Sequence, residues 1–415
     1  MYPSIPQEHW HLQAEDPMLL TRLLDLPFMV VTAVEYDAEH QRCFVFCEHM
    51  DVVAGCPTCR HISVHIHDYH TRTVRDCPLS GRCCYLEFTA RRFYCENCRC
   101  PFREDLQWLS RGKRLTQRYR QFLFEECRAS SIQAVSKQQR VGYKTLERLY
   151  YQLAQEQVTA TEPAPVRTLG IDEFATKKGH AYALALSDLQ AGRVLAVLPD
   201  RKKETLQDYF STWTKEQRAS VSEVAMDLWE PYAQAVAHSL PDARIVADRF
   251  HVMKNLNEQV SLARRGIQRG LPEETKQTLK GCRWLLVRNQ ADLSAADKQK
   301  LEAMFSVSPE LRQLHALKED FRTLFQSELT PEEAGSKLEA WMSAVESSGL
   351  TKLSKFVSTL KHRGEHILNY FHNRLTSGAV EGLNNKIKLI KRGAYGFRNF
   401  EHFALRVLVE CDGAT

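Results

Sequence analysis

Between Arg167 and about Asn255, short apolar runs alternate with helical stretches in an order that few folds accommodate. Residues 168–174, 182–187 and 194–198 are rich in Val, Leu, Ile and Ala and read as three successive strands. Asp188-Leu-Gln-Ala-Gly192 supplies a hairpin turn between the last two. Residues 203–213 read as a helix, 221–226 as a fourth strand, 231–240 as a helix opened by proline, and 243–247 as a fifth strand. Three strands, a helix, a strand, a helix and a strand require an α/β core. Periodicity identifies these elements without saying how they pair.

Acidic residues sit at the ends of this pattern. Asp172 lies in Thr168-Leu-Gly-Ile-Asp-Glu-Phe, and Asp227 ends Val224-Ala-Met-Asp. Strand alternation sends Asp172 and Glu173 to opposite faces, so one of them enters a cleft, and Gly170 on the Asp172 side leaves room for substrate. Asp227 precedes Leu-Trp-Glu-Pro, a strand-to-helix exit of the kind where open α/β sheets bind ligands. Far downstream, Glu381 opens a helix in Val380-Glu-Gly-Leu-Asn-Asn-Lys-Ile-Lys. Helical spacing puts Glu381, Asn384, Asn385 and Lys388 on one face, with Leu383, Ile387 and Ile390 opposite. Three converging carboxylates could hold two divalent cations, Mg2+ or Mn2+, which activate a nucleophile and stabilise a leaving oxygen in phosphodiester attack. A lone acid at a strand end is ordinarily a turn or cap residue, so convergence is the requirement. Asp248-Arg-Phe-His251 closes the fifth strand; Asp248 is a reserve ligand, with an N-cap as its plainer role, and His251 could touch metal, phosphate or Asp248.

Ten of the thirteen cysteines fall between Cys43 and Cys100. The N-terminus has no basic-then-apolar leader pattern, so the chain is expected to stay in the cytoplasm, where clustered cysteines favour metal over disulfides. Cys56-Pro-Thr-Cys59 and Cys95-Glu-Asn-Cys98 are two C-x-x-C knuckles suited to one structural Zn2+, with Cys100 as an alternative ligand. Cys43, Cys47, Cys77, Cys83 and Cys84 read as small buried hydrophobes, and His61, His65, His67 and His70 as surface or phosphate-facing residues.

Lys and Arg concentrate at 111–148 and 361–398, although the net charge is only +5. Within the first cluster, residues 128–149 have the pattern of a helix-turn-helix. Ile132, Val135 and Val141 would pack inward, Gly142 would serve the turn, and residues 143–150 would form the recognition helix. Lys144, Thr145 and Arg148 then share a side suited to DNA, the alternative being a solvated basic face. Thr159-Ala-Thr-Glu-Pro-Ala-Pro-Val is a linker, because two prolines among small residues break regular structure. Residues 256–373 carry no convincing strand; 258–269, 276–287 and 331–345 read as helices. No run of about 18 apolar residues suggests a membrane span.

Taken together, Gly170-Ile-Asp-Glu-Phe-Ala, Met226-Asp-Leu-Trp-Glu-Pro-Tyr, Val246-Ala-Asp-Arg-Phe-His-Val and Ser377-Gly-Ala-Val-Glu-Gly-Leu-Asn-Asn-Lys-Ile-Lys resemble the bacterial insertion-sequence transposases of the ISL3 family. Ala394-Tyr-Gly-Phe-Arg-Asn-Phe is similar to that family's aromatic-glycine stretch, and Arg91-Arg-Phe-Tyr-Cys95 with the knuckles to its zinc module. The resemblance covers nearly the whole chain. It implies an α/β RNase H-like catalytic core with an all-helical insertion, preceded by a zinc-binding module and a helix-turn-helix domain. The expected divisions are 1–110, 111–160, 161–255, 256–373 and 374–415. It further implies an Asp-Asp-Glu triad, carried here by Asp172, Asp227 and Glu381, that cuts transposon ends and joins a 3′ hydroxyl to target DNA. Asp248 matches an Asp-x-x-His signature of related transposases and competes for the second position. Asn384, Asn385, Lys386, Lys388, Lys391 and Arg392 would steady double-stranded DNA, and a homodimer or larger assembly would pair two ends. Two other readings are an inactive DNA-binding regulator derived from a transposase and an RNase H-like nuclease without strand transfer.

Overall fold

The computed structural model describes residues 11–12, 17–110, 112–161, 164–176, 182–279, 281, 283–375, 378–394 and 396–412. Residues 1–10, Arg111, Glu162 and Pro163 of the linker, Lys280 and Cys282, Ser377 and Tyr395 lie outside the described residues. The chain divides into two compact units, Met1–Gln157 and Val158–Thr415.

The first unit contains β1 (His11–Leu12), β2 (Met29–Asp37), β3 (Arg42–His49), β4 (Ala54–Gly55), β5 (Ile62–Ser63), β6 (Ile66–Leu79), β7 (Arg82–Cys95) and β8 (Cys100–Arg103). Their sheet runs β1-β2-β3-β7-β6, with β8 also on β7, while β4 and β5 form a separate hairpin. Alternation along β3 and β7 buries one face of each, placing Val45, Cys43, Cys84, Leu86 and Phe88 in a core with Val31 and Trp108. Cys43, Cys47 and Cys84 are buried as expected, whereas Cys77 and Cys83 are half-buried.

Helices Gln117–Ala129, Ile132–Gln138 and Tyr143–Ala160 follow, the first two capped by the Thr116 and Ser131 side chains. Ile132, Val135 and Val141 are buried. The turn differs from expectation. Arg140 takes the left-handed conformation, with φ of 50°. Gly142 does not; its carbonyl accepts from the Thr145 and Leu146 amides at 3.0 Å and starts the next helix.

The second unit is built on β9 (Thr168–Ala175), β10 (Tyr182–Asp188), β11 (Arg193–Leu198), β12 (Glu223–Met226) and β13 (Arg244–Ala247). The sheet order is β11-β10-β9-β12-β13. Pairs among β9, β10 and β11 are antiparallel, and β12 lies parallel to both β9 and β13. The expected strands are all present, with ends shifted by no more than two residues. A further helix, Lys215–Ser220, was not legible in the sequence; a Thr214–Gln217 capping box starts it.

Both sheet faces are covered. Leu169, Ile171 and Leu184 pack with Leu206, Phe210, Tyr232 and Val236 from helices Lys203–Ser211 and Glu230–Ser239. On the opposite face Phe174, Ala183 and Ala185 meet Ile387, Ile390, Phe403 and Val407 from helices Gly378–Gly393 and Phe400–Glu410. From Arg249 to Asn373 every described element is helical, around Leu256, Val260, Leu311, Phe321, Trp341 and Phe356. The Phe321 ring contacts Phe325, Trp341 and Phe356, and burying such a side chain contributes about 1.5–3 kcal/mol. The helix expected at 276–287 is two shorter ones, Glu273–Thr278 and Arg283–Val287.

Candidate active site and metal centre

Strand register brings three aspartates to one level of the sheet. Met226 pairs with Ile171 on one side and Ala247 on the other, so the next residues are Asp227, Asp172 and Asp248 on three adjacent parallel strands. Asp172 lies within β9, on the face covered by the C-terminal helices, because its neighbour two residues on, Phe174, packs there. Asp227 and Asp248 immediately follow short strands, where the chain turns away.

His251 ties two of these acids together. Its Nδ1 lies 3.2 Å from Asp227 Oδ1 and its Nε2 3.7 Å from Asp248 Oδ2. Asp248 also caps helix Arg249–Arg269, Oδ1 accepting the Phe250 amide at 2.9 Å, so the plainer reading of this residue is realised. Asp227 Oδ1 accepts the Leu228 amide at 2.6 Å. Asp172 Oδ1 accepts the Glu173 amide at 2.7 Å, and Oδ2 accepts the Asn384 side-chain amide.

Burial pushes the Asp172 carboxyl above the usual aspartate range, against the Glu173 amide and His251, with Asp248 and Asp227 adding to the rise. Burial acts on Asp227 in the same direction, but the His251 hydrogen bond and charge outweigh it and hold Asp227 low. Burial would lower His251, yet Asp227, Asp248 and Asp172 raise it above the ordinary histidine range. The site is a half-buried cluster of three aspartates with one imidazole set between two of them.

Glu381 stands one helical turn before Asn384, on the element that reaches Asp172, and is exposed. The expected division of this helix is corrected. Asn384 is only 5% exposed and shares the inward side with Ile387 and Ile390, its amide on Asp172. Glu381, Asn385, Lys386 and Lys388 face outward, Leu383 is half-buried and Leu389 is 62% exposed. The Lys391 Nζ donates to the Ala175 carbonyl at 2.6 Å at the end of β9, and Arg392 is exposed. Helical spacing does not distinguish an amide that reaches a half-buried carboxylate from one that reaches solvent.

Arg201 was not legible as part of this region. It lies over the rings of Tyr182 and Trp229, 4.8 Å and 5.7 Å from their centroids, and 3.5 Å from Glu173. No motif marks it, because its partners come from three separate elements.

In the first unit the Cys56, Cys59, Cys95 and Cys98 sulfurs all lie within 4.8 Å of one another. Cys56 and Cys98 are 3.9 Å apart, and Cys59 and Cys95 3.5 Å. Sulfurs sharing one tetrahedral zinc, each at about 2.3 Å, stand roughly 3.8 Å apart, so the donor set fits that ion. The Asn97 side chain draws the Cys59 thiol down to about 6, and the Cys98 amide bonds the Cys95 sulfur at 3.3 Å. Cys100 is exposed, paired across the strands with Cys95 and outside the cluster, which favours Cys98 as the fourth ligand. His61, His65, His67 and His70 are exposed, with His65 on Glu96 and His67 on Asp68. Among the described residues no other group of three or more His, Cys, Asp or Glu ligand atoms gathers as closely.

Lys144, Thr145 and Arg148 are exposed along helix Tyr143–Ala160, while Leu146, Leu149 and Tyr150 are buried. Among the described residues no helix is long and apolar enough to cross a membrane.

Comparison with known proteins matches this layout. Residues 169–407 match a transposase family model, residues 53–98 the zinc-finger of transposases IS204/IS1001/IS1096/IS1165, and residues 104–154 the helix-turn-helix domain of transposase family ISL3. The transposase for insertion sequence element IS1001 of Bordetella parapertussis is 30% identical over 355 residues, 85% of this chain and 87% of that protein. The transposase for IS1557 of Mycobacterium tuberculosis is 28% identical over 295 residues, 65% of this chain and 66% of that protein. The zinc-finger match and the four gathered thiols support a structural Zn2+, and the helix-turn-helix supports DNA binding. The chain therefore belongs to the ISL3 family of transposases and is a DNA transposase.

Proposed function

We propose that this transposase cuts and joins DNA through an Asp-Asp-Glu site of Asp172, Asp227 and Glu381 on an RNase H-like core. The observation that carries the reading is the alignment of Asp172 and Asp227 on neighbouring parallel strands, beneath the helix that bears Glu381. The mixed sheet, three antiparallel strands extended by two parallel ones, supports the core assignment. Carboxylate oxygens are the donors that Mg2+ or Mn2+ prefers, so the residues present fit a two-cation site. When bound, the cations would supply an activated nucleophile and charge stabilisation at the scissile phosphate.

The protein's own groups prepare that site. Asn384 fixes the Asp172 carboxylate from one side, and the Glu173 amide fixes it from the other. His251 orients Asp227 from one ring nitrogen and faces Asp248 with the other, which keeps the two carboxylates apart. Asp248 acts as helix cap and partner of His251, leaving Asp227 as the better second ligand. Lys144, Thr145 and Arg148 would contact the terminal inverted repeats, and Asn385, Lys386, Lys388 and Arg392 the DNA backbone, with pairing of two ends by a dimer or larger assembly in the bacterial cytoplasm.

Strand transfer measured with pre-cut transposon ends tests this. Asp172→Asn should abolish joining while end binding persists. A wild-type protein that binds ends without metal-dependent chemistry would instead be a regulator, and one that cuts without joining a nuclease.

A further inference from the structure

We infer that Arg75 is a positioning residue that locks the zinc-binding sheet and the helix-turn-helix into one DNA-reading body with a fixed distance between its two contacts. The inference rests on the proposed binding of transposon ends by both parts, and adds how they are held relative to each other.

Arg75 sits on β6, is 8% exposed, and reaches into the turn before the recognition helix. Its guanidinium donates to the Arg140 carbonyl at 3.1 Å and to the Gln139 carbonyl, and contacts the Cys83 sulfur at 3.1 Å. The same group lies 5.9 Å and 5.2 Å from the ring centroids of Tyr85 in the sheet and Tyr119 in the first helix. The Arg75 backbone closes the junction as well, with the Arg75 amide on the Arg114 carbonyl at 2.9 Å and the Thr116 amide on the Arg75 carbonyl at 3.0 Å. Next to it the buried Asp76 accepts from the Thr116 hydroxyl at 2.6 Å and from Arg118, fixing the cap of helix Gln117–Ala129. Arg140, left-handed at φ of 50°, returns its own guanidinium to the His40 carbonyl at 2.9 Å.

A buried guanidinium on two turn carbonyls contributes orientation more reliably than net stability. The recognition helix begins at Tyr143, three residues beyond Arg140, so holding that turn sets where Lys144, Thr145 and Arg148 point.

The other end of β6 is different in character. Residues 66–72 are mostly exposed, with Tyr69 and His70 on the surface, and the adjoining β7 and β8 pair Arg92 with Arg103. At this end β7 lies between β6 and β8, and although Asp68 pairs with Arg92, the exposed His67, Tyr69, His70 and Arg103 give the sheet edge basic and aromatic groups suited to phosphates and a groove. From Ile66 to Arg75 an extended strand spans roughly 30 Å, close to one turn of B-DNA at about 34 Å. β6 is thus a rigid bar with a DNA-facing sheet edge at one end and the helix-turn-helix anchor at the other.

The test uses the full chain with zinc and transposon-end duplexes whose two protected segments have been mapped by footprinting. Five or ten base pairs are inserted between the segments. A rigid body should lose at least tenfold in affinity with either insertion. Arg75→Ala and Arg75→Gln should shrink that penalty several-fold while leaving the helix-turn-helix segment protected, and Arg75→Lys should restore part of it. Zinc content and the thermal transition identify an unfolded Arg75→Ala, in which case Arg75→Gln decides, since it keeps a polar side chain but loses the guanidinium fork that reaches both carbonyls. Wild-type tolerance of either insertion would overturn the rigid body. An unchanged penalty in a folded Arg75→Ala or, where that variant is unfolded, in Arg75→Gln would overturn the role of Arg75. Failure of the wild type to bind ends at all would instead remove the underlying reading, and the inference with it.

Discussion

The two metal-suited clusters of this protein are assembled in opposite ways. Four thiols approach one another to 3.5–3.9 Å on two knuckles, and each knuckle is made locally by a C-x-x-C turn. The aspartates are arrayed on three adjacent strands, no three of their ligand atoms gathering within 4.8 Å, with His251 and Asn384 placed between and beside them. Thiols that lose their protons as they bind a shared metal can stand at contact distance, whereas half-buried carboxylates repel and need a cation or an amide beside them to coexist. A structural centre can therefore be nearly closed by its ligands, while a reactive centre has to be kept open by its scaffold.

Removing zinc should have the largest effect. Cys95→Ser, or a strong chelator, should abolish the cooperative thermal transition of the Met1–Gln157 unit and end DNA binding; elemental analysis should give zinc near one per chain, and a value near zero would break the comparison. Asp172→Asn should act oppositely: intact fold, retained end binding, and a loss of strand transfer of roughly 10³-fold or more. Because burial raises the Asp172 carboxyl, its ionisation opposes folding once pH rises above the unfolded value. Metal-free Asp172→Asn should accordingly melt higher than wild type at neutral pH, and a lower melting temperature would contradict that sign. Asp227→Asn should match Asp172→Asn in strand transfer, and Asp248→Asn should lose less, about tenfold, with little change in melting temperature because asparagine caps a helix as well as aspartate. Full cleavage by Asp227→Asn would reverse the assignment. Asn384→Ala should reduce activity by about tenfold through a less fixed Asp172, the scale of one hydrogen bond to a charged group. Cys100→Ser, outside the thiol cluster, should change zinc content and stability least of all.

Much of this was legible from local pattern. The five strands of the core, the knuckles and the buried Ile132, Val135 and Val141 all follow from alternation, spacing or helical period, because each depends on residues close in sequence. What eluded the sequence was partner identity. Asn384 meets Asp172 across 212 residues, Arg201 meets aromatic rings from two other elements, and Arg75 seizes a turn 64 and 65 residues away.

By itself, then, the sequence determined which elements form, which thiols make knuckles and which acids end strands. Only the tertiary structure decided that Asp227 and Asp172 are neighbours, that Asn384 turns inward, that Cys100 stands aside and that Arg140 makes the turn assigned to Gly142. The physical reason is range. Hydrophobic period and turn chemistry act over a few residues, whereas strand register and the hydrogen bonds of buried polar groups are set by packing between segments hundreds of residues apart.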